Sequence, residues 1–385
     1  MKRLYGLDAL RGLAALVVVI WHWQHFYDLT GVWQKGWHYQ AEPFFDALWP
    51  LYLQGWAAVD IFFALSGYVF YWLYSDRIAA REIPVGLFAV RRISRLYPLH
   101  VLALVLVLVL QYFFHARSGG YFVYASGDWH RFGAALLMAQ QWLPPTIEQT
   151  FNGPAWTVSV EAGLYILFFL LCRLGLKGPK AALTVSLLGI TIFSWNECIA
   201  RGMIGFFLGG ACYFAVRAIE ARADAVRWAR WCVGIALAFW VITVWEIGRH
   251  TLHGWAENLT DYLGADDFYA EYNVRLFQCF YDYTVVPASI VAVALHESVL
   301  NSKWMGEIYR RLSRLGDISY ATYMLHFPLQ LTLALVALHM GFGSGVFEHG
   351  LTLIAFYAVL IGLGYWTWQH IELPVQQFLR RFSRP

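Results

Sequence analysis

Apolar residues in this chain gather into long unbroken runs, without the alternation of a half-buried strand. The runs cover roughly 8–27, 53–74, 96–115, 155–173, 181–198, 200–217, 231–248, 279–298, 317–339 and 350–370. A bilayer core about 30 Å thick needs about 20 such residues per helix. A membrane β-barrel would instead alternate apolar and polar positions. The pattern therefore predicts an all-α, polytopic transmembrane bundle of about ten spans. A shorter run, 131–143, ends at Pro144-Pro145 and predicts an interfacial or re-entrant helix. The longest polar stretches, about 28–52, 116–154 and 249–278, are too short to be a soluble domain. Residues 1–385 are expected to form a single integral-membrane domain with no appended soluble domain.

Composition narrows the class. Only 14% of residues are charged and 59% are hydrophobic, with a mean hydropathy of +0.49. Soluble domains carry about 25% charged residues. These figures exclude a soluble enzyme, a disordered chain, a nucleic-acid binder and a secreted disulfide scaffold. Cys172, Cys198, Cys212, Cys232 and Cys279 lie in or beside apolar runs, form no C-x-x-C pair and read as small buried hydrophobes.

The net charge of +3 conceals an uneven distribution. With ten alternating spans and a cytoplasmic N-terminus, 22 of the 28 Lys and Arg residues fall on the inner side. Cytoplasmic loops carry such an excess, so both termini are expected in the cytoplasm. The first span carries Arg11 and His22 and lacks a small-residue cleavage site, so it is not a cleavable signal peptide.

Ionisable groups inside a bilayer are costly and mark functional sites. Arg11 and His22 are eleven residues apart. On an α-helix that separation is about 20° past three turns, which puts both on one face about 16 Å apart. His25 and Asp28 follow at steps of three. An extended substrate could lie along this face, its anionic end at Arg11 and its reacting group at His22. Acyl-coenzyme A has that layout. The plainer reading is a snorkelling arginine and a histidine bonded to a neighbouring helix.

Arg92 and Arg95 are i, i+3 neighbours that could grip one anion, or simply follow the inside-positive bias. Glu161 enters the fourth span just after Trp156. It could orient a histidine or anchor a helix contact. Asp60 and Glu246 raise the same question more weakly. His326, in the ninth span, reads as a packed and hydrogen-bonded histidine, and His100 and His115 as interfacial.

Several chemistries lack their motifs. H-E-x-x-H, G-x-S-x-G and the H-x4-D acyltransferase motif are absent, as are a Walker loop and a filter loop. His22, His25 and Asp28 could in geometry hold a metal, but no metal is expected. Outer polar stretches are rich in aromatic residues: Trp33, Trp37, Tyr39, Phe44, Phe45 and Trp49, then Trp255, Tyr262, Phe268, Tyr269 and Tyr272. Acids join them at Glu257, Asp261, Asp266, Asp267 and Glu271. Sugar stacking with hydroxyl-binding acids is one reading; an interfacial aromatic belt with solvated acids is the other.

Taken together, these segments resemble the membrane-bound acyltransferase-3 family of bacteria. Leu7-Asp8-Ala9-Leu10-Arg11-Gly12-Leu13 through His22 is similar to its Arg-x10-His opening. Val59-Asp60 to Ser66-Gly67-Tyr68, Arg92-x-x-Arg95 with Tyr97-Pro98, and Trp156-Thr157-Val158-Ser159-Val160-Glu161 resemble later motifs, in order. So do Ser319-Tyr320 to His326-Phe327-Pro328, and Ile371-Glu372-Leu373-Pro374. One departure is Ala162-Gly163-Leu164-Tyr165, where many members carry a longer polar side chain.

The resemblance implies transfer of an acyl group, commonly acetyl, from acyl-CoA to a carbohydrate hydroxyl in the bacterial cytoplasmic membrane. It implies His22, Glu161 and Arg11 in catalysis and Arg11, Arg92 and Arg95 at coenzyme A. Asp60, Ser66, Trp156, Ser159 and His326 are secondary candidates. His22 would act as general base, with Glu161 setting its tautomer or stabilising the imidazolium; an acyl-histidine is the second variant. The implied partners are acyl-CoA, a glycan or glycolipid acceptor and membrane lipid, with no nucleic acid and a homo-oligomer left open. A proton-coupled transporter or flippase and a non-catalytic sensor are the rival classes.

Overall fold

A computed structural model describes residues 3–29, 32–143, 149–249, 251 and 278–381. The helices are α1 (Tyr5–Trp21), α2 (Phe45–Gln54), α3 (Ala58–Ala79), α4 (Val85–Ser118), α5 (Trp129–Leu136), α6 (Trp156–Arg173) and α7 (Pro179–Ile192). They continue as α8 (Glu197–Glu220), α9 (Ala225–Arg249), α10 (Val286–Leu295), α11 (Lys303–Met340), α12 (Gly350–Thr367) and α13 (Leu373–Arg381). Among the described residues, the one sheet is a two-stranded hairpin, Asp28–Leu29 against Val32–Trp33. The chain is a helical membrane bundle.

Among the described residues, nine helical segments are long and apolar enough to cross a bilayer. The tenth expected span is shorter. α7 has 14 residues, a rise of about 21 Å, because the chain turns back at Asn196. The Asn196 side chain accepts from the Ile199 amide at 3.0 Å and caps α8. α7 then packs against α8, with Ser186 Oγ donating to the Ile204 carbonyl at 3.1 Å. The ten expected crossings thus correspond to nine long helical segments and one short helix. The run 131–143 overlaps the eight-residue α5 and the turns that follow it, too short to span. Pro144-Pro145 and the acid- and aromatic-rich segment from Trp255 to Tyr272 lie outside the described residues.

Two backbone approaches position the site. A Cβ on Gly316 would collide with the Asp8 carbonyl, and one on Gly12 would meet Leu315 at 2.5 Å. α1 and α11 therefore touch backbone to backbone, as small residues permit in membrane bundles. Gly67 and Gly209 do the same for α3 and α8, against the carbonyls of Phe206 and Ala64. The first amides of α1, Tyr5 N and Gly6 N, donate to the Glu297 carboxylate at 3.0 and 2.7 Å, neutralising helix-end donors. Arg380, in α13, lies close to Arg91, Arg92 and Arg95. The described chain therefore begins and ends at one basic end of the bundle, where Lys177 also pairs with Asp76 at 2.6 Å.

Candidate functional site

At the basic end, a cavity of about 100 Å³ opens between α1, α3, α4, α6 and α11. Its polar lining includes Arg11, Arg95, Ser66, Glu161, Tyr165 and Ser319. The α1–α11 contact lets Arg11 reach across. Its Nη2 donates to the Gly316 carbonyl at 2.8 Å and to Asp8 at 2.9 Å, and its Nε donates to Ser319 Oγ at 3.1 Å. Opposite, Ser66 Oγ donates to Glu161 at 2.7 Å and lies 3.4 Å from the Tyr165 hydroxyl. Arg95 makes no direct hydrogen bond or ion pair among the described residues. Tyr165, Glu161 and Glu372 act on it electrostatically.

Arg92 does not share that lining. Its Nη2 donates to the Tyr74 hydroxyl at 2.9 Å, and its guanidinium lies over Phe70 at 4.9 Å and Tyr74 at 5.1 Å. Its Nε is buried without a partner among the described residues. The i, i+3 pair is divided: Arg95 faces the cavity, and Arg92 sits in an aromatic box behind it.

His22 lies toward the other end. α1 stops at Trp21 and tightens into a 3-10 turn over His22–Tyr27. Side chains three apart eclipse in that geometry, which places the His22 and His25 rings 4.7 Å apart. His326 comes from α11, its ring 4.8 Å from His22. All three are buried. His22 Nδ1–H donates to the Val18 carbonyl at 2.9 Å, which leaves Nε2 with its lone pair. Gln330 Nε2 donates to the His22 carbonyl at 2.8 Å, so its Oε1 accepts from His25 Nδ1 at 3.1 Å. The Tyr124 hydroxyl then donates to His25 Nε2 at 3.2 Å. The His326 Nδ1–H donates to the Tyr323 carbonyl, and its Nε2 is buried without a partner among the described residues.

These bonds separate Glu161 from His22. The His22 tautomer is fixed by a backbone carbonyl, and Glu161 is bonded to Ser66 in the cavity. Tyr323 stands between the two regions. It lines the cavity, and its ring is 5.7 Å from that of His326.

The secondary candidates divide similarly. Asp60 is fully buried and bonded twice to Arg201, both bonds 3.1 Å. Gln278 donates to Asp60 at 2.6 Å and to Asp282 at 2.8 Å. The Arg201 guanidinium lies over Trp56 at 4.9 Å and Trp156 at 5.4 Å. Asp60 and Trp156 thus belong to a structural clamp. Ser159 Oγ accepts from the Gln141 amide at 3.1 Å, and the Ser159 carbonyl accepts from Trp142 Nε1 at 2.9 Å. The Trp142 indole occupies the space above Gly163, so that departure from the family pattern is filled by the 131–143 segment.

Sequence reasoning misses Arg201, Gln330, Tyr124 and Tyr323. Arg201 passes as an exterior charge, although it opens an apolar span. Gln330, four residues past His326, is a signal at helical spacing. Tyr124, from a loop, gives none. Among the described residues, no group of three His, Cys, Asp or Glu is placed to hold a metal.

Comparison with known proteins adds a family to this geometry. The acyltransferase-3 family model, an acyltransferase domain, matches residues 4–369. Acyltransferase MdmB of Streptomyces mycarofaciens is 28% identical over 347 residues, covering 84% of this chain and 78% of that one. Protein 2 in the picA locus of Rhizobium radiobacter is 30% identical over 178 residues, covering 43% of this chain and 76% of that one. Peptidoglycan O-acetyltransferase OatA of Listeria monocytogenes is 26% identical over 207 residues, 50% of this chain but 29% of that one. No solved structure matches. With the family match running from the first turn of α1 to the end of α12, the chain belongs to the acyltransferase-3 family of membrane acyltransferases.

Proposed function

We propose that this protein transfers an acyl group, acetyl first, from acyl-CoA to a hydroxyl of a carbohydrate acceptor, with His22 as general base. The observation that carries the proposal is one helix with two unlike ends. Arg11 faces the basic cavity, and His22, about 16 Å farther along, has Nδ1 committed to Val18 and Nε2 free. The relatives' names, an acyltransferase and a peptidoglycan O-acetyltransferase, support the reaction class.

In this scheme the basic end faces the bacterial cytoplasm, both termini included. Arg95 and Arg11 hold the donor's phosphates, and Arg92 adds positive potential from its aromatic box. The thioester arm passes Tyr323 to reach His22. Neutral His22 Nε2 takes the acceptor's hydroxyl proton as the oxygen attacks the thioester carbonyl. The tetrahedral adduct collapses, the C–S bond breaks, and the imidazolium returns the proton to the leaving thiolate. Glu161 shapes the donor channel with Ser66 and Tyr165.

The test is incubation of membranes containing the protein with labelled acetyl-CoA and candidate glycans. Labelled acceptor is the expected result. Acceptor movement without acylation would point to a transporter, and neither result to a sensor.

A further inference from the structure

Beyond His22 the chain builds a second polar cluster that the transfer chemistry above does not use. The 3-10 turn ends at Tyr27, the hairpin returns through Trp33, and the following loop carries Trp37, Tyr39 and Glu42. Trp37 stacks with Trp33 (centroids 4.8 Å apart, planes 11° apart) and with Tyr27 (5.4 Å, 23°). Tyr39 meets Trp37 edge-on at 4.9 Å. Glu42 is 3% exposed, yet among the described residues both its carboxyl oxygens lack a hydrogen-bond partner. The Tyr27 hydroxyl and Trp37 Nε1 are likewise buried without partners there. Glu42 acts electrostatically on Tyr27, Tyr39 and Tyr52, so the unpaired groups are neighbours.

Buried polar atoms are nearly always paired, and a concentration of unpaired ones needs an explanation. Two donors and a carboxyl group beside a flat aromatic stack match the surface of a pyranose, with hydroxyls around its rim and C–H groups on its faces. A quaternary ammonium would need open ring faces on several sides. Here the rings stack on one another, and Trp33, 46% exposed, is the outermost face. The cluster is tied to the histidines. The Tyr39 hydroxyl donates to Gln24 at 3.1 Å, Gln24 donates to the Trp21 carbonyl at 3.1 Å, and the Trp21 ring is 4.6 Å from His22.

We propose that Trp33, Trp37, Tyr27 and Glu42 form the acceptor subsite, which binds a sugar ring of the carbohydrate whose hydroxyl His22 deprotonates. The subsite's catalytic meaning rests on the acyl-transfer reading, but its occupancy by a sugar does not. Burial pushes the Glu42 carboxyl up to about 9, so at neutral pH it is a carboxylic acid, able to donate one hydrogen bond and accept another. The amide of Glu42→Gln would retain part of that capacity, and the aliphatic side chain of Glu42→Leu none.

The experiment is saturation-transfer NMR on the full chain in nanodiscs, without acyl donor, using chitotetraose and maltotetraose as probes. Ring-proton saturation by at least one tetrasaccharide is expected, with Kd raised tenfold or more by Trp33→Ala and by Glu42→Leu. Glu42→Gln should retain partial affinity. Trp33 is half exposed, so its variant tests the site independently of folding. No saturation by either sugar, or unchanged affinity in both Trp33→Ala and Glu42→Leu, would overturn the subsite. So would displacement of the sugar by choline. Such a failure would leave acyl transfer untouched; intact sugar binding with no acylation would sink the His22 scheme alone.

Discussion

The two ends of α1 hold their polar groups in opposite ways. At the basic end, Arg11 is tied to Asp8, Ser319 and the Gly316 carbonyl, and charges of both signs face a cavity. At the other end, three histidines, a glutamine and a tyrosine are packed together, and among the described residues no carboxylate is hydrogen-bonded to the rings. An end that holds ion pairs and faces a cavity is suited to binding an anionic donor. At the histidine end, backbone carbonyls fix the His22 and His326 tautomers and Gln330 that of His25, which leaves a lone pair on His22 Nε2, the atom a general base would use. In the proposed scheme this difference separates donor binding from proton transfer along one helix, and substitutions can test that separation.

The largest expected effect is at the histidine end. His22→Ala should lower turnover by about 10²–10⁴-fold, measured as labelled acceptor formed per protein at saturating acetyl-CoA. Full turnover in that variant would remove the distinction between the ends.

Arg201→Ala tests a third polar cluster, which belongs to neither end. It would leave the buried Asp60 carboxylate without its cation, at a cost of about 3–5 kcal/mol. Thermal unfolding in detergent should show a large fall in Tm, with the lost activity tracking lost protein. A variant that is stable but inactive would place this clamp in the chemistry instead.

At the basic end, Arg95→Gln should raise the KM for acetyl-CoA about 10- to 100-fold, the worth of a charge-assisted hydrogen bond or two. Arg92→Lys should raise it less, because Arg92 is enclosed by Phe70 and Tyr74 and does not line the cavity. Equal effects at the two positions would restore the shared anion grip that their spacing suggests.

The smallest effect is on pH. Glu42 is held neutral by burial, up to about 9, and among the described residues it acts on the titratable Tyr27, Tyr39 and Tyr52. The unfolded chain ionises this carboxyl near its ordinary value, so unfolding releases a proton between there and about 9. Stability contributed by the neutral form is complete below that range and declines as pH rises through it. Glu42→Gln should flatten that slope in thermal unfolding measured from pH 5 to 9.

Much of this is legible in the sequence because it is local. The apolar runs form helices, and Arg11 and His22 keep the shared orientation their spacing implies. Three-residue steps at His22, His25 and Asp28 suit the 3-10 turn that replaces the α-helix there. What escapes depends on distant partners. Asp60 finds Arg201, 141 residues on, and Glu161 turns to Ser66 rather than to a histidine. α7 reads as a full span because hydropathy alone does not register the turn after Ile192 and the Asn196 cap that starts α8.

Equilibrium binding of labelled acetyl-CoA to the full chain in nanodiscs tests the division between the ends most directly, with His22→Ala and Arg95→Gln compared with wild type. Donor affinity should be unchanged in His22→Ala and weakened at least tenfold in Arg95→Gln. Weakened binding in His22→Ala, or wild-type binding in Arg95→Gln, would contradict it.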